Sequence, residues 1–103
     1  MNKITSHDIQ KRTFLFAVRI VKLVDRLPRS VAAVEIGRQL LRAGTSVGAN
    51  VREADGASTH KDFSHKINIA EREAKETHYW NYCMRSFYKM TPNSILYSMK
   101  QTN

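Results

Sequence analysis

The sequence predicts an all-α protein built from three long helices and a short fourth. Apolar residues recur at helical spacing through three long stretches, and no Val/Ile/Thr alternation of the strand type appears. Both prolines, Pro28 and Pro92, fall between the periodic stretches, where helices are expected to break. At 103 residues the chain forms one domain, 1–103, large enough for a single core and too small for a second.

The first helix is expected to begin after Thr5 or Ser6, either of which can accept a bond from an orphan backbone N–H. It should stop before Pro28, because the residue preceding a proline is pushed out of the α region. Phe14, Ala17, Val18, Val21 and Val24 supply its apolar face. Ser30 then caps a second helix over about 31–54, whose apolar content is Val34, Ile36, Leu40, Leu41, Val47 and Val51. That helix also carries Gly37, Gly44 and Gly48, each costing roughly 0.5–1 kcal/mol relative to alanine. Gly37, Leu41, Gly44 and Gly48 share one face, so a neighbouring backbone is expected to approach closely there, a bend being the alternative.

Residues 55–60 read as a turn and 61–88 as the third helix, with a four-three seam of Phe63, Ile67, Ala70, Ala74, Thr77, Asn81, Met84 and Tyr88. The small residues at its centre are expected to meet the glycine face of the second helix. After Pro92, eleven residues remain, enough for about 16 Å of helix against about 36 Å for a 24-residue one. Ile95, Leu96 and Met99 give this stub an apolar side too short to cover the long helices, which invites a partner subunit.

Charge is unevenly placed. Seventeen Lys and Arg against nine Asp and Glu give a net charge of +8. Residues 1–30 hold seven basic and two acidic residues, 31–59 three and three, and 60–103 seven and four, so the middle segment is expected to be the buried one. On a helical wheel Lys11, Arg12, Arg19, Lys22, Arg26 and Arg29 fall within about 100° of arc. The third helix carries a second basic face, Lys61, His65, Asn68, Arg72, Lys75 and His78, interleaved with Tyr79 and flanked by Tyr82. Such surfaces suit a polyanionic partner; a merely solvated helix face is the plainer alternative. The lone Cys83 excludes an internal disulfide, fits a reducing cytoplasm and reads as a structural thiol. No stretch has the length of a transmembrane helix or the apolar run of a signal peptide, so a cytoplasmic protein without a membrane role is expected.

Residues 39–80, QLLRAGTSVGANVREADGASTHKDFSHKINIAEREAKETHYW, together with Phe16 and Leu27-Pro28 upstream, closely resemble the four-helix bundle proteins encoded by intervening sequences in bacterial 23S ribosomal RNA genes. The resemblance covers roughly residues 14–82. It implies an antiparallel up-down four-helix bundle that assembles into ring-shaped homopentamers, a dimer being the second expectation for this chain. It also implies kinship with the accessory protein of diversity-generating retroelements, and with it nucleic acid and a reverse transcriptase as partners. It implies no catalytic activity. The chain departs from the family pattern in its short fourth helix and in reading Glu53-Ala54-Asp55-Gly56 where the family has Glu-Gly.

Ser46, Asn50, Glu53, Glu76 and Thr77 match the family motif and lie in or beside the core faces, which allows a polar pocket or a buried hydrogen-bonded network joining the second and third helices, with Arg42 answering Glu76. The network is the favoured reading, because buried polar groups need partners and such networks fix register. His60, Asp62, His65 and His78 supply no third ligand to the Asp62/His65 pair, and Glu73 and Glu76 lack the Glu-x-x-His pattern of di-iron bundles, so neither a metal nor another cofactor is expected. The expectation is therefore a non-enzymatic, oligomeric adaptor that binds RNA or DNA with low sequence specificity. Arg12, Arg19, Lys22 and Arg26 form its principal surface and Lys61, Arg72 and Lys75 its secondary one, with Tyr79, Tyr82 or Trp80 stacking on unpaired bases where exposed. The rival reading is a scaffold whose positive charge serves an acidic protein.

Overall fold

The first helix opens on a reciprocal cap that its first residues supply. Thr5 Oγ1 accepts from the Asp8 N–H at 3.1 Å while Asp8 Oδ2 accepts from the Thr5 N–H at 3.0 Å, satisfying two orphan donors. The computed structural model describes residues 3–90, in which this helix, α1, spans Ser6–Asp25, followed by α2, Val31–Asp55, and α3, His60–Met90. No strand occurs among the described residues. The expected fourth helix, with Ile95, Leu96 and Met99, lies outside them.

Each boundary has a local cause. Before Pro28, the Arg26 and Leu27 amides bond three residues back, to Leu23 and Val24, closing α1. Ser30 caps α2 by accepting from the Ala33 N–H at 3.1 Å. Thr59 caps α3, accepting from the Asp62 N–H at 3.0 Å, so that helix begins one residue earlier than the sequence pattern suggests.

The hairpins run antiparallel. Ser6 Oγ donates to Asp55 Oδ1 at 2.5 Å, tying the start of α1 to the end of α2, and Lys66 Nζ donates to Glu53 Oε1 at 2.6 Å across the next turn. Among the described residues α1 and α3 each pack on α2 and not on one another. α2 is accordingly the buried element, contributing Ala33, Gly37, Leu40, Ala43, Gly44, Val47, Val51 and Ala54 to the interior.

Three expectations are corrected by this arrangement. The glycine face of α2 receives α1 and not the small residues of α3. A Cβ on Gly44 would sit 2.8 Å from Ile20 Cγ1 and Cγ2, and one on Gly48 3.2 Å from the Thr13 carbonyl oxygen. Leu41, assigned to that face, is exposed instead. On α1 the surface meeting α2 is Thr13, Ile20, Val24 and Leu27, so Ile20 is only 7% exposed whereas Phe14 is 55% exposed and Val21 is open as well. Thr13 tolerates this position because its hydroxyl donates to the Ile9 carbonyl at 2.9 Å. On α3 the seam buries Ala70, Thr77 and Met84 but leaves Phe63 and Ala74 exposed, being rotated toward Glu73 and Trp80.

Candidate nucleic-acid interface

Lys11, Arg12, Arg19, Lys22 and Arg26 are all exposed. Relative to the residues of α1 that meet α2, their stripe is turned by about 140° around the helix axis, so it forms the outward edge of the protein. Arg26 caps the helix C-terminus, and Arg29 lies beyond it in the linker. None of these side chains enters an ion pair among the described residues. Asp8, close to Arg12, is occupied by the cap: hydrogen bonds from Thr5 hold its carboxyl below the ordinary carboxylate value, helped by the charges of His7 and Arg12.

The second basic face is also outward. Lys61, His65, Asn68, Arg72, Lys75, His78, Tyr79 and Tyr82 are exposed, on the side of α3 away from Ala70, Thr77 and Met84. Lys75 has an acid at 3.8 Å, Glu71, four residues earlier on the same helix, whereas on α1 the corresponding acid, Asp8 four residues before Arg12, is turned to the Thr5 cap and forms no ion pair with the stripe. The α2 positions that face α1 (Gly37, Gly44, Gly48) and those that pair with α3 (Arg42, Glu53) are about 150° apart around its axis. The two basic faces therefore point away from each other and do not merge into one surface.

The polar motif residues divide into local and crossing bonds. Arg42 and Glu76 are brought together in an ion pair, and the same guanidinium reaches Glu73 at 2.9 Å, a partner the sequence reading does not include. Trp80 Nε1 donates to the same Glu76 carboxylate at 3.0 Å, so Trp80 is a half-buried part of this cluster and not an open stacking platform. Glu53 pairs separately with Lys66. The remaining members bond within their own helices: Ser46 Oγ to the Arg42 carbonyl, Asn50 Nδ2 to the Ser46 carbonyl and Thr77 Oγ1 to the Glu73 carbonyl. The expected single buried network is thus corrected to an interhelix cluster at Arg42, Glu73, Glu76 and Trp80, with back-bonded hydroxyls and amide beside it. The i, i+3 and i, i+4 spacing of Glu73, Glu76 and Trp80 was the available signal for the two missing members.

Among the described residues no group of three or more His, Cys, Asp and Glu side chains could hold a metal, and no helix is long and apolar enough to cross a membrane. The model of the 23S rRNA-intervening sequence proteins matches residues 5–102. The chain belongs to that family. A similar solved structure is a crystal structure of a protein of unknown function from the S23 ribosomal protein family of Bacteroides thetaiotaomicron VPI-5482. It is 39% identical with a TM-score of 0.76, over 84% of this chain and 78% of that one. No curated protein matches the chain. As a member of the intervening-sequence family, the chain combines an ordinary helical interior with two separate outward cationic faces.

Proposed function

We propose that this protein is a non-enzymatic, cytoplasmic adaptor that binds RNA or DNA with low sequence specificity, chiefly through Arg12, Arg19, Lys22 and Arg26. The observation that carries this reading is the outward α1 stripe, whose cations are exposed and enter no ion pair among the described residues, which leaves them open to phosphates. Lys61, Arg72 and Lys75 form a secondary surface, diluted by Glu71. The protomer is an antiparallel four-helix bundle with a short fourth helix, assembled into a ring-shaped homo-oligomer, a pentamer first and a dimer second. Exposed Phe14, Val21, Val34 and Leu41 on α1 and α2 support self-association. A retroelement role with a reverse transcriptase partner rests on the sequence resemblance alone.

Reversing Arg12, Arg19, Lys22 and Arg26 to Glu is expected to abolish binding of RNA and single-stranded DNA while leaving helical content intact, because none of the four faces α2. The parent should show a logarithmic salt slope of about −0.7 per phosphate neutralised on single strands. A folded variant that binds as tightly as the parent at equal salt would transfer the basic stripe to the acidic-protein scaffold reading. Sedimentation equilibrium at micromolar concentration tests the assembly, and a clean monomer near 11.9 kDa overturns it.

A further inference from the structure

The two basic faces differ in kind. On α1 the arc of the stripe holds lysines and arginines with Leu15 and, in the first turn, Asp8 among them. On α3 the cations share their face with Tyr79 and Tyr82, whose side chains stand 57% and 67% exposed. Large aromatics left this open on a charged face serve neither the core nor solubility. Three residues apart, they are neighbours on the helix surface, about 4.5 Å apart along its axis. Arg72 and Lys75 lie on the same side, seven and four residues before Tyr79.

The Tyr79 ring is also held in place. It meets Trp80 edge-to-face, with centroids 5.1 Å apart and planes at 69°. Trp80 is anchored through Glu76 to Arg42 of α2, so the ring is braced from the interhelix cluster outward. Cys83, one turn on, pushes the Tyr79 pKa up from the ordinary tyrosine value, through hydrogen bonding to the phenol and through the negative charge of its thiolate form. A ring already fixed in position loses little freedom when a base stacks on it.

We propose that the outward face of α3 is a single-stranded nucleic-acid site, in which unpaired bases stack on Tyr79 and Tyr82 while Arg72 and Lys75 neutralise the adjoining phosphates. The site is distinct from the α1 stripe, whose arc contains no aromatic side chain and which engages the phosphate backbone of single and double strands alike. Bases in a duplex have no free face to offer, so the tyrosines select unpaired strands. Because the two faces point away from each other, one chain can hold two nucleic-acid segments at once. This inference rests on the nucleic-acid reading above and assigns a ligand class to its secondary surface.

The test compares the full chain with Tyr79→Ala/Tyr82→Ala and Tyr79→Phe/Tyr82→Phe, by fluorescence anisotropy on labelled oligo(dT), oligo(U) and a duplex of equal length at one salt concentration. Circular dichroism confirms equal helical content. The alanine pair is expected to lose at least about tenfold in affinity for both single strands, about the worth of one stacked base, with duplex affinity unchanged. The phenylalanine pair should bind single strands as the parent does, since stacking needs the ring and not the hydroxyl. A loss on only one of the two single strands upholds the site and shows that it distinguishes strands differing in the 2′-hydroxyl and the base methyl group. An alanine pair that keeps single-strand affinity, or loses duplex affinity in parallel, overturns the inference while the α1 reading stands. A parent that binds neither single strands nor duplex overturns both.

Discussion

The two interfaces of α2 are built on different physics. Toward α1 the contact is made by subtraction: Gly37, Gly44 and Gly48 remove side chains so that Leu27, Ile20 and the Thr13 backbone can approach. No ion pair joins these two helices among the described residues. Toward α3 the contact is made by reach, with Arg42 spanning to Glu73 and Glu76 and Lys66 to Glu53, over a strip of small and medium residues such as Ala43, Ala70 and Met84. Close packing fails abruptly when volume is added. Long charged side chains can readjust, and partly exposed pairs contribute little each. The first interface should therefore be indifferent to salt and intolerant of added volume where rigid atoms obstruct it, at Gly44 and Gly48, and the second sensitive to salt and more tolerant of substitution.

The sharpest way to break the comparison is Gly44→Leu. The obstructing atoms are the Cβ, Cγ1 and Cγ2 of Ile20, rooted close to the α1 backbone and unable to swing aside. A loss of about 1–3 kcal/mol is expected by chemical denaturation, unchanged by added salt. Arg19→Leu, on the outward stripe, should stay within about 0.5 kcal/mol of the parent. Equal midpoints for the two variants would contradict the close contact.

Arg42→Ala ranks second. Glu73, whose side chain is 15% exposed, would lose its guanidinium, and a cost of about 1 kcal/mol is expected, shrinking at high salt. Trp80 is the single tryptophan and bonds to Glu76, so its fluorescence should shift in this variant and not in Gly37→Ala. Gly37→Ala itself sharpens the comparison from the other side. Its new Cβ would meet Leu27 Cδ1 at 3.2 Å, the far end of a flexible side chain, and Gly37 has no left-handed backbone to preserve. Thermal or chemical denaturation should show a gain of about 0.4–1 kcal/mol, unlike the loss at Gly44.

The smallest effect belongs to neither interface. The folded Asp8 carboxyl titrates below its ordinary value of 3.8, so the stability it confers is complete above that value and is lost as pH falls through the lower folded one. Asp8→Asn should remove the corresponding part of the acid-induced loss of helicity, followed by circular dichroism below about pH 4.

The cap at Ser30, the narrowing of the first cap to Thr5 or Ser6, the stop before Pro28 and the three long helices were legible in the sequence because each depends on partners within about four residues along the chain. The same locality made the basic arc of α1 readable, since a helical wheel orders residues on one helix whatever surrounds it. The Arg42 to Glu76 pairing was also legible, from charge complementarity across a turn. What one helix meets in another was not. Phe14 and Val21 looked as suited to the interior as Ile20, yet Ile20 alone lies over Gly44, and hydrophobicity carries no record of which apolar side a neighbour will cover. The glycines announced a close approach without naming α1 as the element that makes it. Likewise the separation of the two basic faces, the enlistment of Glu73 and Trp80, and the exposure of Tyr79 and Tyr82 follow from α2 lying between α1 and α3. Residue pattern along each helix was set by short-range hydrogen bonding and periodicity. Which faces became interior, and which remained available to a ligand, was decided by the rotation and order in which the helices packed.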